Sequence, residues 1–125
     1  LHGDTLCTDD TDYQNFRSLV RSDEWQTKML SKSLEERLSL AENLRMKSIE
    51  ANVHKDEDIM DVNMREIDLL IEKYKPDIII HGHTHRPNIH THESEEKNIY
   101  RYVLGDWYDR FFILSLSFKT SISLM

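Results

Sequence analysis

Residues 75–87 read KPDIIIHGHTHRP, and this stretch constrains the fold more than any other part of the chain. Proline lacks the backbone N–H a helix needs and disfavours helix in the residue before it, so the helical pattern from about Asn63 to Tyr74 must stop ahead of Pro76. The apolar run that follows, Asp77 to His81, reads as a buried strand. A helix handing over to a strand in so few residues points to an α/β unit. His81, His83 and His85 then stand at alternate positions, with Gly82 between the first two. Along an extended chain residues i and i+2 share a face, so His83 and His85 can aim at one point just past the strand end.

Upstream, the pattern is helical. The DDTDY at residues 9–13 supplies N-cap chemistry for a helix from about Tyr13 to Arg21. Ser22 caps a second short helix in SDEWQTKML, and Ser33 with Glu36 forms a capping box at the head of a long helix running towards Lys55. Further strands are expected at Tyr100–Leu104 and Phe111–Ser117. Helices precede strands, which places the chain in the α/β (α+β) class.

On a helical wheel of the long helix, Glu36, Ser39, Asn43, Lys47, Glu50 and His54 form a solvated face. Opposite lie Leu34, Leu38 and Ala41, flanked by Leu40, Leu44, Ile49, Ala51 and Val53. The same central line continues as Arg45, Ser48, Asn52 and Lys55, polar residues inside an apolar arc. Either the helix leaves the core there, or the arc borders a pocket that is apolar at one end and anion-binding at the other.

Composition narrows the function. The 38% hydrophobic and 31% charged content suits a globular domain, and a net charge of −7 argues against general nucleic-acid binding, which needs a basic surface. The sequence has no apolar run long enough to span a bilayer. With one cysteine, Cys7, an internal disulfide is excluded, and a closed four-ligand structural zinc module is not expected. The chain opens on LHGDTLC without a methionine, and the reading is that it is a fragment.

Neutral imidazole is a common ligand for zinc, manganese or iron-type ions, so the histidines after an apolar strand are candidate ligands. Spacing alone is weak support. His90 and His92 have the same spacing in the polar stretch NIHTHESEEKN, where they are expected to be solvated loop residues, as is His54. His81 is expected to be a structural neighbour at the strand end.

GHTH after one apolar strand, with HGD near the start of the chain, resembles the C-terminal motifs of the calcineurin-like metallophosphoesterases. HGDTLCTDD, IMDVN, IHGHTHRP and LGDW, in this order, narrow the resemblance to the UDP-2,3-diacylglucosamine pyrophosphohydrolases of the lipid A pathway in Gram-negative bacteria. The match covers most of residues 1 to about 108. It implies the C-terminal portion of a β-sandwich flanked by helices, with residues 13–75 forming a mostly helical insertion, or lid, over the site and its connecting helix.

The resemblance further implies hydrolysis of the diphosphate of UDP-2,3-diacylglucosamine to UMP and 2,3-diacylglucosamine 1-phosphate. It brings a binuclear manganese centre and a cytoplasmic location at the inner-membrane surface. His2, His83 and His85 would be metal ligands, with His83 also catalytic through approach to the substrate phosphate. Asp10, Arg45, Ser48, Asn52 and Lys55 would contact substrate, Asp10 doubling as a helix cap. Asp61 and Asn63 read mainly as a turn and a cap.

Two departures bear on activity. The family's D-x-H, G-D and G-N-H/R-D motifs, which supply the remaining ligands and the bridging carboxylate, are not in this sequence. The tail FFILSLSFKTSISLM carries no family signature. By itself the chain is therefore expected to be inactive. Competing readings are a calcineurin-like phosphatase or nuclease with another substrate, and a non-catalytic fragment.

Overall fold

The computed structural model describes residues 1–53, 55, 59–94, 97–108 and 111–117, with Asn52 described in its backbone alone. Two compact units make up the chain: Gly3–Lys75, and Leu1–His2 with Pro76–Met125. His54 and the end of the tail lie outside the described residues.

The first unit is helical, with α1 at Thr11–Val20, α2 at Asp23–Leu30, α3 at Leu34–Val53 and α4 at Met64–Tyr74. Each start is set by local chemistry. Asp10 accepts from the Tyr13 amide at 3.0 Å and so starts α1 two residues earlier than the sequence pattern places it. Ser22 accepts from the Trp25 amide at 3.3 Å. The capping box closes both ways: the Ser33 amide donates to Glu36 Oε2 at 2.8 Å and the Glu36 amide donates to Ser33 Oγ at 3.2 Å. Asn63 caps α4 by accepting from the Arg65 amide at 2.9 Å. Lys75 ends that helix in a left-handed conformation, φ 45°, and its N–H reaches the Ile71 carbonyl at 2.8 Å.

Ahead of α1, a single 3-10 turn over Asp4–Leu6 is tied down by side chains. Buried Asp4 accepts from Arg17 Nε at 2.5 Å, and Gln14 Nε2 donates to the carbonyls of Asp4 and Cys7 at 2.8 and 2.9 Å. A buried carboxylate is tolerated only with such partners. The Asn63 amide also donates to the Leu6 carbonyl at 2.8 Å, which fixes the head of α4 to this turn.

The wheel of α3 is corrected by the structure. Leu34 and Leu38, the centre of the apolar arc, are 67% and 57% exposed, and Ala41 is exposed too. The partly covered positions are Arg37, Leu40 and Leu44. Apolar residues are spread around much of this helix, so hydrophobicity by itself does not choose the face that packs. In α4 the pattern is sharper: Ile67 is fully buried, Leu70 and Ile71 are half-buried, and Asp68, Glu72 and Lys73 face outward.

The second unit holds a three-stranded mixed sheet with β1 at Ile78–His81, β2 at Asn88–Glu93 and β3 at Asn98–Val103, in the order β1-β3-β2. β1 runs parallel to β3, with His81 beside Val103, and β2 runs antiparallel to β3, with His90 opposite Arg101 and His92 opposite Ile99. One face therefore carries Ile79, His81, Ile99, Arg101 and Val103, all buried, together with half-buried His90 and His92. Helices with a small mixed sheet place the chain in the α/β class read from the sequence.

Two strand expectations change. The stretch holding His90 and His92 is a strand and not a loop, because its polar residues pair along β3. Residues 111–117 contain no strand.

Candidate functional site

The helix–Pro–strand handover delivers the histidine-bearing loop. β1 ends at His81, and the Gly82 amide donates to the His2 carbonyl at 2.9 Å while the Leu1 ammonium donates to the Ile80 carbonyl at 3.0 Å. Residues 1–2 thus lie along the end of β1. A Cβ on Gly82 would sit 3.9 Å from the His2 oxygen, an ordinary contact, so this approach does not itself demand a glycine.

Beyond His81 the chain is not extended, and the alternating-face argument for His83 and His85 does not apply. Both have positive φ, 69° and 54°. The Thr84 amide donates to the Gly82 carbonyl at 2.8 Å, closing a three-residue turn centred on His83. Left-handed backbone at a non-glycine residue costs on the order of 1–3 kcal/mol and tends to be kept at functional sites. The turn brings the His83 ring to His2, with centroids 4.9 Å apart and planes tilted by 53°. His85 lies instead against Asp106, Nδ1 to Oδ2 3.8 Å.

Two imidazoles at this separation fit one divalent ion as a pair of nitrogen donors. Next to His83 in sequence, Thr84 Oγ1 is buried without a hydrogen-bond partner among the described residues, a polar atom suited to a further contact. Also among the described residues, no three His, Cys, Asp or Glu side chains form a metal-ligating group.

The helical unit carries the second set of candidates. A cavity of about 230 Å³ is lined by Asp12, Tyr13 and Phe16 of α1, by Leu44, Lys47, Ser48 and Ala51 of α3, and by Lys55. Tyr13, Phe16, Leu44 and Ala51 make an apolar wall, and Lys47, Ser48 and Lys55 bring cations and a hydroxyl. Ser48 and Lys55 come from the polar line read on the wheel; Arg45 is exposed and does not line the cavity. Asn52 is in α3, but its side chain is outside the description. Lys47, assigned to the solvated face, lines the cavity, and α1 supplies three residues that a wheel of α3 could not reveal.

Lys55 Nζ is held by Asp10 at 2.7 and 2.8 Å, so Asp10 caps α1 and pairs with the lysine following α3 at once. Burial first, then the negative charge of Asp4, holds the Tyr13 phenol above its ordinary pKa, and the ring faces the cavity as a neutral hydrogen-bonding group.

Sequence reasoning missed Arg101. It lies on the buried face of β3, only 3% exposed, with Nη1 3.0 Å from His81 Nε2 and Nε 3.2 Å from His92 Nε2. The signal was present as a charge in phase with Ile99 and Val103 in a period-2 strand.

No family model matches the chain. Among curated proteins it is 44% identical over 107 residues to the UDP-2,3-diacylglucosamine hydrolase of Chromohalobacter salexigens, covering 86% of this chain and 44% of that protein. It is 45% identical over 108 residues to the enzyme of the same name from Aromatoleum aromaticum, again 86% of this chain and 44% of the relative. With that of Cellvibrio japonicus it shares 44% identity over 117 residues, 94% of this chain and 49% of the relative. These identities bear out the resemblance carried by the HGD and GHTH motifs: the chain is a relative of the UDP-2,3-diacylglucosamine hydrolases and spans somewhat under half of their length.

Proposed function

We propose that this chain contributes the GHTH part of a metal-dependent hydrolase centre, together with a helical substrate-binding element, in an enzyme acting on UDP-2,3-diacylglucosamine. The observation that carries the reading is the His2–His83 pair, 4.9 Å apart at the end of β1, in a chain similar to hydrolases of that name. In the proposed reaction water adds across the diphosphate, releasing UMP and 2,3-diacylglucosamine 1-phosphate.

His2 and His83 would each give a ring nitrogen to a divalent ion, manganese in our reading. Such an ion, when bound, supplies positive charge that polarises phosphoryl oxygens and lowers the pKa of water. The rest falls to the chain. Lys47 and Lys55 offset negative charge on the substrate, Ser48 donates to an oxygen, and Tyr13, Phe16, Leu44 and Ala51 shelter apolar chains from water. A lipid substrate of this kind would be met at the cytoplasmic face of the inner membrane of a Gram-negative bacterium.

Calorimetric titration tests the reading. The chain is expected to bind Mn²⁺ at one weak site that is lost in His2→Ala and in His83→Ala. It is also expected to bind UDP-2,3-diacylglucosamine about tenfold or more tightly than the same UDP-sugar without acyl chains, since two buried methylenes contribute about that much. Equal affinity for both sugars would point to a phosphoesterase with another substrate. UMP release by the chain above a His83→Ala control would overturn the expectation that it does not turn over alone.

A further inference from the structure

The loop carrying His83 is braced from behind by a buried cation. Arg101 Nη1 is 3.0 Å from His81 Nε2, and His81, like Arg101, is almost fully buried, at 1% exposure. A guanidinium offers five N–H donors, no acceptor, and does not lose its proton in proteins. His81 Nε2 must therefore accept, which puts the proton of the neutral ring on Nδ1. That nitrogen lies 3.0 Å from the Gly82 carbonyl oxygen, which can only accept. The same carbonyl receives the Thr84 amide at 2.8 Å and so closes the turn in which His83 has φ 69°.

The geometry points to Arg101 as a positioning residue: by holding His81 in its Nδ1–H tautomer, it makes that ring grip the Gly82 carbonyl and keeps His83 in the turn from which it faces His2. The link to metal binding rests on the proposed function, because it takes His83 as a ligand. The tautomer and the turn stand on this chain's own geometry. Arg101 reaches His81 through Nη1 and His92 on β2 through Nε at 3.2 Å, two points of one rigid fork. A lysine ammonium would not reproduce that planar fork. The brace is anchored on both outer strands of the sheet, since Arg101 sits on the central one.

Nitrogen-15 long-range correlation spectra of the 125-residue chain, in mildly alkaline buffer, test this directly. His81 is expected to show a protonated Nδ1 and a bare Nε2. In Arg101→Lys the opposite tautomer should become populated, and the Thr84 amide should exchange with solvent about tenfold faster.

Two His81 variants separate positioning from packing. An asparagine amide nitrogen falls near the place of Nδ1, so His81→Asn keeps the donor to Gly82. A glutamine amide reaches the place of Nε2, so His81→Gln can meet Arg101 but loses that donor. Thr84 protection should survive in His81→Asn and fall in His81→Gln, with Mn²⁺ affinity dropping about 10- to 100-fold in the latter. A packing role alone would make the two alike.

A proton on Nε2 of the unaltered chain, or equal Thr84 exchange in the two variants, overturns the inference. If Arg101→Lys does not fold, the unaltered chain and the His81 pair still decide it. If Thr84 protection divides as expected while His83→Ala leaves Mn²⁺ affinity unchanged, the brace is upheld and the ligand role of His83 is what fails.

Discussion

Lys55 Nζ contacts both carboxylate oxygens of Asp10, at 2.7 and 2.8 Å, across 45 residues of sequence. The pair ties the residue following α3 to the cap of α1, and both side chains are largely shielded, at 16% and 10% exposure. Truncating Lys55 leaves the carboxylate with the Tyr13 amide and less water than it would have at the surface. Lys55→Met is therefore expected to destabilise the chain by about 1–3 kcal/mol, read as a lower urea midpoint with unchanged slope. Asp10→Asn, which keeps the cap oxygen, should cost less than Asp10→Ala. Equal costs for those two substitutions would remove the capping role.

The helix starts were legible in the sequence because their causes are local. Ser22, Ser33 with Glu36, and Asn63 each bond to an amide two or three residues on, and such chemistry survives whatever the rest of the chain does. Strand β2 was not legible for the opposite reason. NIHTHE has little apolar signal, and it is a strand because β3 lies beside it in register. The candidate site divides along the same line. HGD and GHTH announce the histidines, whereas the positive φ values that set the direction of His83 and His85, and the insertion of Arg101 behind them, depend on tertiary contacts.

The Glu36 carboxyl provides a pH test of the capping box. The Ser33 backbone amide first, then its hydroxyl, then the Lys32 charge, hold Glu36 below the ordinary carboxylate pKa. A folded-state pKa lowered in this way gives stability that is present above the unfolded value, near 4.3, and is lost as pH falls through the folded one. Helicity at the start of α3, followed by backbone carbonyl shifts, should therefore decrease on acidification through and below that range. Glu36→Gln should flatten this local transition; a transition of the same size in the variant would assign it elsewhere.

The cavity between α1 and α3 makes a prediction that separates binding from folding. Ala51 lines it from an exposed position, so Ala51→Leu should change stability by no more than about 0.5 kcal/mol. The added branched chain would occupy part of the roughly 230 Å³ and displace two or more methylenes of a bound acyl chain. At about 0.8 kcal/mol per methylene, affinity for the diacylated UDP-sugar should fall about tenfold, with that for the acyl-free sugar unchanged. Parallel losses for both ligands would move the acyl chains out of this cavity.

Ile67 tests the face through which α4 packs. It is fully buried on α4, while Leu69, two residues on, is 48% exposed. Removing the Ile67 side chain deletes buried methylenes and leaves a space that the helix, fixed at its head by Asn63 and at its end by Lys75, cannot close by shifting. Ile67→Ala is expected to cost about 2–5 kcal/mol. Leu69→Ala, on the same helix and with a comparable change in volume, is expected to cost about 0.5 kcal/mol or less. Chemical denaturation of the two variants side by side measures the contrast, and similar midpoints would mean that α4 does not pack through the face its sequence pattern presents.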